Sequence, residues 1–66
     1  MSNYEIRLHR LDGTLSIVMK VTAVGDADAR NQARTMLTAD IPSAQIWRDD
    51  SLIGSVHAPL ELAKSA

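Results

Sequence analysis

Two histidines, two adjacent aspartates and one tryptophan are the residues of this 66-residue chain whose types could support chemistry. His9 and His57 would form a metal site or an acid–base pair only if they lay close together with a carboxylate or a third ligand. Nothing in the sequence fixes such an arrangement. We therefore interpret both histidines as exposed residues on the surface of a sheet.

Asp49 and Asp50 resemble a carboxylate pair, but neighbouring residues on a strand point to opposite faces and do not converge. Followed by Ser51, they are typical of a turn. The serines lack the G-x-S-x-G nucleophile pattern, and the three glycines are too scattered for a phosphate-binding loop. The chain has no cysteine, which excludes thiol catalysis and disulfides. The sequence predicts a protein that is not an enzyme and holds no metal or cofactor.

The charge balance argues against a nucleic-acid partner. Seven Lys and Arg stand against eight Asp and Glu, a net charge of −1, whereas nucleic-acid modules carry a basic excess. The N-terminus lacks the basic and apolar regions of a signal peptide, and no apolar run approaches the roughly 20 residues of a membrane span. We expect a cytoplasmic protein without membrane association.

The first half of the chain has the pattern of a β-hairpin. "YEIRLHR", 4–10, alternates apolar and polar residues, as a half-buried strand does. "LSIVMKVTA", 15–23, is rich in the β-branched residues that favour strands. Between them, Asp12-Gly13 predicts a two-residue type I′ turn, because glycine accepts its positive φ.

A helix is predicted over about 26–39. Asp26 is a good N-cap, and Ala29, Ala33, Met36 and Leu37 recur at the spacing of one helical face. The two alanines would let the helix lie close against a sheet. Pro42 cannot continue the helix.

A second hairpin is predicted over 43–58. Its turn lies at 49–51, without the glycine that a tight turn favours. Alternation along the last strand places Leu52, Gly54 and Val56 on the helix face and Ile53 on the opposite face. Residues 59–66 form a C-terminal tail that could make one frayed helical turn.

These elements predict one small α+β domain over residues 1–58. The expected architecture is two-layer β-β-α-β-β, a four-stranded antiparallel sheet with one helix packed on one face. The strand order is not determined by the sequence. If the second and third strands are parallel neighbours, their crossover should be right-handed.

Trp47 falls on the face opposite the helix, with Val18 and Ile53. Arg7, His9, Lys20 and His57 border this patch, and an exposed apolar patch with basic neighbours marks an interaction site. Three alternatives remain open at this point. Trp47 is a core residue covered by a curled sheet or by the tail, part of a self-association surface, or a platform for a ligand or nucleic acid.

Three segments, "YEIRLHRLDGTLS", "AVGDADARNQARTML" and "AQIWRDDSLIGSV", resemble a group of short hypothetical proteins common in alphaproteobacteria. The shared features are a first strand containing Tyr4, the Asp12-Gly13 turn, a helix over 26–33, the Gln45-Ile46-Trp47 strand and Ile53. The likeness covers about 4–56 and departs at Asp50-Ser51, where no glycine stands. It implies this fold and no activity.

A chain this short buries a small, aliphatic core, and small domains often need additional stabilisation such as self-association. We therefore expect a protein-interaction or self-association module, with a homodimer or another protein as partner. The candidate interaction face consists of Trp47, Ile53, Val18, Arg7, His9 and His57. The competing hypothesis is single-strand nucleic-acid or small-ligand binding on the same open face around Trp47, since a sheet with an aromatic residue can stack a base.

Overall fold

The computed structural model describes residues 1–58 and confirms the α+β, β-β-α-β-β architecture. Its elements are β1 (Ser2–His9), β2 (Leu15–Ala23), α1 (Asp26–Thr35), β3 (Ser43–Arg48) and β4 (Ser51–His57). The predicted tail, 59–66, lies outside the described residues. The second strand has the bounds that its β-branched composition predicts.

The four strands form one antiparallel sheet in the order β2-β1-β3-β4. β1 and β3 are central, and β2 and β4 are the two edges. α1 connects β2 to β3, but β1 lies between those strands. β2 and β3 are therefore not neighbours, and the expectation of a right-handed crossover between neighbouring parallel strands does not apply.

The core lies between the sheet and α1. Alternate residues of β1 are buried, and they meet buried residues of β3, β4 and the helix. The buried residues are Tyr4, Ile6, Leu8, Ala23, Ala29, Ala33, Ala44, Ile46 and Val56. Ala29 and Ala33 are fully buried, so the short side chains do bring the helix close to the sheet.

The close approach extends to β4. A side chain at Gly54 would place its Cβ 3.0 Å from the Arg30 guanidinium, which lies over this position from the helix. Glycine at 54 therefore leaves room for Arg30 to lie flat on the sheet.

The helix begins at Asp26, as predicted, but its C-terminal end and its N-cap differ from the prediction. It ends at Thr35 rather than near residue 39, because the Met36 and Leu37 amides bond back three residues to Ala33 and Arg34. This tighter pattern ends the α-helix. Its N-cap is Gly25, not Asp26, and Asp28 accepts a hydrogen bond from the Val24 backbone amide at 3.0 Å. The Asp26 carboxylate is instead bound to the sheet.

Neither turn has the geometry that its sequence suggests: the turn with a glycine is not the tight two-residue turn, and the turn without one is. At the first, only Gly13 has positive φ, at 88°, and the Arg10 carbonyl accepts the Gly13 amide. That is a three-residue loop with a left-handed glycine, not a type I′ turn. At the second, Asp49 and Asp50 both have positive φ, 51° and 64°, the conformation of a tight two-residue turn.

The tight second turn moves Ile53 away from its predicted face. The turn pairs Arg48 with Ser51 and Trp47 with Leu52, but further along Ile46 pairs with Gly54. Ile53 is therefore an extra residue, a bulge, and the alternation of β4 changes phase there. Ile53 packs against the core, and Leu52, 52 % exposed, pairs with Trp47 in its place.

Candidate functional site: the open face of the sheet

The side of the sheet away from α1, here called the open face, carries three rows of side chains that run across all four strands. Each row follows from the strand pairing, since directly paired residues project to the same face. From β4 to β2 the rows are Leu52–Trp47–Glu5–Lys20, then Ser55–Gln45–Arg7–Val18, then His57–Ser43–His9–Leu15.

Trp47 is partly buried on this face and does not belong to the core. The Arg7 guanidinium carbon lies 4.3 Å from the centre of its ring, a cation–π contact between β3 and β1. The indole N–H donates to the Gln45 side-chain oxygen at 3.3 Å. Glu5 binds Arg7 at 2.6 Å and so fixes the guanidinium. The ring is therefore held in one orientation by its neighbours.

An open depression of about 630 Å³ lies beside Trp47. Its lining residues come from β1, β2, β3 and the second turn: Asn3, Tyr4, Glu5, Arg7, Lys20, Val21, Thr22, Trp47, Asp49 and Asp50. Two cations, three carboxylates and two aromatic residues thus line one depression. Such a surface suits a partner of mixed charge.

The predicted site residues divide into two groups. Trp47, Arg7 and Val18 lie in the first two rows, and Arg7 is paired directly with Val18. His9 and His57 share the third row with Ser43 between them, and they border a second depression of about 300 Å³ at the other end of the face. Ile53 belongs to neither group, because the bulge places it against the core.

The candidate interaction face predicted from the sequence leaves out Glu5, Gln45 and Leu52, which the strand pairing places around Trp47. Alternation along each strand is the signal that could have found Glu5, since it precedes Arg7 by two residues. Gln45 is likewise two residues before Trp47. The alternation rule misplaces Leu52, because it assumes an unbroken ladder.

The pKa values of Tyr4 and Asp12 differ from their ordinary values. The hydrogen bond that Tyr4 donates to Asp26, 2.8 Å long, raises the pKa of the Tyr4 hydroxyl, and burial raises it further. The Thr14 hydroxyl and backbone amide both donate to Asp12 and lower the pKa of its carboxyl. Asp12 acts in the first turn, away from Trp47. Among residues 1–58, no three His, Asp or Glu side chains gather in a group that could hold a metal ion.

Comparison with protein-family models, with curated proteins and with solved structures finds no match to this chain. The resemblance to the alphaproteobacterial group therefore stays a prediction. The one helix of the described part, α1, has neither the length nor the apolar character of a membrane span.

Proposed function

We propose that this chain is a small non-enzymatic protein-interaction module whose open face around Trp47 binds a partner protein. The observation that carries the proposal is the fixed Trp47 ring, partly exposed beside an open depression and held by Arg7 and Gln45. An aromatic side chain that is already ordered loses little entropy on binding, and Trp and Arg are enriched among the residues that dominate interface energies. The setting we propose is the cytoplasm, which suits a chain without cysteine.

The charge around Trp47 favours a protein over single-stranded nucleic acid. Glu5, Asp49 and Asp50 place three carboxylates around the depression, where they would repel a phosphate backbone. Arg7 already covers one side of the indole and is itself bound by Glu5, so it is not free to bind phosphate. A heparin column discriminates the two partners: we expect the protein to flow through at low salt. Retention that salt reverses would support the nucleic-acid alternative.

Site-specific photo-crosslinking tests the proposal in cells that express the full chain. Asn3 is exposed and borders the depression, so a photoreactive phenylalanine analogue placed there reports what touches the open face. We expect a discrete protein adduct from this position. Adding Trp47→Ala should reduce the adduct at least tenfold while circular dichroism shows that the fold is kept.

The matched control places the same photoreactive residue at Val24, which is 78 % exposed and lies between β2 and α1, off the open face. Equal adducts from the two positions, or none from position 3, would contradict the proposal. Unfolding by Trp47→Ala alone would show that Trp47 serves the core.

A further inference from the structure

Among the four strands of residues 1–58, β2 carries the most exposed large apolar side chains. Leu15, Ile17, Val18 and Met19 are all between 39 % and 48 % exposed, and they follow one another along a strand with a single charge, Lys20. Within the described residues no strand pairs with the outer side of β2. An edge of this kind, without proline and with one lysine, is a template for pairing with another strand.

Ile17 and Met19 lie on the helix side of the sheet, where exposed apolar residues are least expected. They pair with Leu8 and Ile6, which are buried. The core therefore continues onto β2, but α1 is too short to cover it there. This leaves an apolar strip directly beside the core.

Side chains donate hydrogen bonds to backbone carbonyls at both ends of β2 but not in its middle. Arg10 donates to the Leu15 carbonyl at 3.1 Å, and Gln32 donates to the Thr22 carbonyl at 3.0 Å. Between them, over 16–21, no side chain of the described residues bonds to the backbone. Alternate residues of an antiparallel strand direct their N–H and C=O groups outward, so this stretch presents a ladder without a partner.

The opposite edge, β4, is protected by contrast. It begins directly after the left-handed Asp49–Asp50 turn and contains the bulge at Ile53. Bulges twist an edge strand and disrupt its ladder, which discourages pairing. β2 also has a bulge, at Ser16, since Leu8 pairs with Ile17 but His9 pairs with Leu15. That bulge lies near the start of β2 and leaves a regular stretch from Ile17 to the end of the strand, so β2 is the edge that can be continued over this stretch.

We propose that two copies of this chain pair antiparallel through β2, with Val18 on the two-fold axis. In that register Ile17 lies opposite the partner's Met19 on the helix side, and Val18 lies opposite the partner's Val18 on the open face. Lys20 falls opposite the partner's Ser16, the bulged residue at which the regular part of the strand ends. A register centred on Met19 would set Lys20 against the partner's Val18, and one centred on Lys20 would oppose two lysines, which is unfavourable.

The product is one eight-stranded sheet with both helices on the same side, because the axis of such a dimer is perpendicular to the sheet. The strips of Ile17 and Met19 from the two copies join between the helices and leave water together. The β2 edge adjoins the Trp47 depression, which Lys20, Val21 and Thr22 help to line, but the paired residues Ile17, Val18 and Met19 are not among its lining. The dimer therefore goes beyond the proposed function and does not depend on it.

Cysteine crosslinking tests the register directly, since the chain has no cysteine of its own. Directly paired residues of antiparallel strands lie about 4.5–5.5 Å apart between Cα atoms, within the roughly 4.4–6.8 Å range of disulfides. We expect the full chain with Val18→Cys to form a covalent dimer under mild oxidation. Leu52→Cys, on the same face but at the other edge, is the control and should stay mostly monomeric.

Sedimentation of the full chain over a dilution series tests the association itself. Ile17→Lys, which leaves the open face unchanged, should raise the dimer dissociation constant at least tenfold. Leu52→Lys and Trp47→Ala should change it less than twofold. If Ile17→Lys does not fold, the crosslinking result decides.

Three outcomes would overturn the β2 dimer. One is a wild-type chain that sediments as a monomer up to its solubility limit. Another is equal crosslinking by Val18→Cys and Leu52→Cys. The third is a dimer that Leu52→Lys or Trp47→Ala breaks and Ile17→Lys leaves intact, which would place the interface elsewhere. A monomeric chain would not contradict the proposed binding of a partner protein at the open face. Failure to find such a partner would not contradict the β2 dimer.

Discussion

At the level of single residues, Asp49 and Asp50 carry the clearest backbone strain among residues 1–58, with φ of 51° and 64°. A non-glycine residue in the left-handed region costs free energy, although aspartate tolerates it better than most residues. Tight two-residue turns favour glycine at the second position. We expect Asp50→Gly to raise the free energy of unfolding by about 1 kcal/mol, measured by urea unfolding with Trp47 fluorescence.

Asp40→Gly is the control for this change. Asp40 is also exposed, but its φ is not positive, so the substitution gives the folded backbone no relief. It adds only chain entropy to the unfolded state and should leave stability unchanged or lower it. If Asp50→Gly destabilises the protein as much as Asp40→Gly does, the left-handed turn is not the source of strain.

Individual orientations were predictable where the alternation of a strand is unbroken. The sequence predicted that Trp47 and Ile46 lie on opposite faces of the sheet. The structure confirms this, because Ile46 is buried and Trp47 is only partly buried. The contact between Trp47 and Arg7 was not predictable. It requires that β1 and β3 be neighbours, and nothing in either strand's own pattern specifies its neighbour.

At the level of elements, one polar cluster joins the helix to two strands. Asp26, the first residue of α1, accepts hydrogen bonds from the Tyr4 hydroxyl of β1 at 2.8 Å and from Arg48 of β3 at 3.3 Å. The Tyr4 ring is 2 % exposed, and the Arg48 guanidinium lies 5.9 Å from the centre of that ring. Asp26 thus fixes the start of the helix on the sheet instead of capping it.

This cluster predicts a loss of stability at high pH. The hydrogen bond to Asp26 raises the pKa of Tyr4 above its ordinary value of 10.0, so folding favours the protonated hydroxyl. The stabilisation is present below pH 10 and is lost as the pH rises through the higher folded pKa. Chemical unfolding at a series of alkaline pH values should show this decline in the wild type and a smaller one in Tyr4→Phe.

The single tyrosine provides an independent check. The ultraviolet absorbance of tyrosinate in the folded chain reports Tyr4 alone and should titrate above the value measured in denaturant. An Asp26→Asn variant should titrate closer to the denatured chain. Equal titration in the folded and denatured chains would show that the bond to Asp26 does not stabilise the protonated hydroxyl.

All five elements were predictable from their own residues, but the irregularities between them were not. The bounds of β2 follow from its β-branched run, and the start of α1 follows from Gly25 and Asp26. The end of α1 could not be predicted from the sequence. Residues 36–39 are compatible with a helix, and only tertiary contacts determine where the helix ends. The bulge at Ile53 arises from the tight turn before it, whose two aspartates carry no glycine signal.

At the level of the whole molecule, the sheet extends further than its one helix can cover. α1 has ten residues, and the helix side of β2 is left exposed at Ile17 and Met19. Residues 1–58 give the molecule a small core and, beside it, an edge strand, β2, with exposed apolar side chains. In the proposed dimer, the Trp47 rings of the two copies stand on the same face, five strand spacings or roughly 24 Å apart across the sheet, and they are also offset along the strands. The open face would then offer two equal sites to a symmetric or repeated partner.

Coupling between folding and association makes the melting temperature of the whole molecule depend on its concentration. A dimer that forms only in the folded state is stabilised by mass action, by about 0.7 kcal/mol per chain for each tenfold rise in concentration. For a chain this small, that corresponds to roughly 3–6 °C per tenfold change, measurable by circular dichroism. Ile17→Lys should remove the dependence and Leu52→Lys should keep it, because only Ile17 lies at the β2 edge. A wild-type melting temperature that stays constant over a hundredfold range of dimer-forming concentrations would mean that folding and association are separate events in this protein.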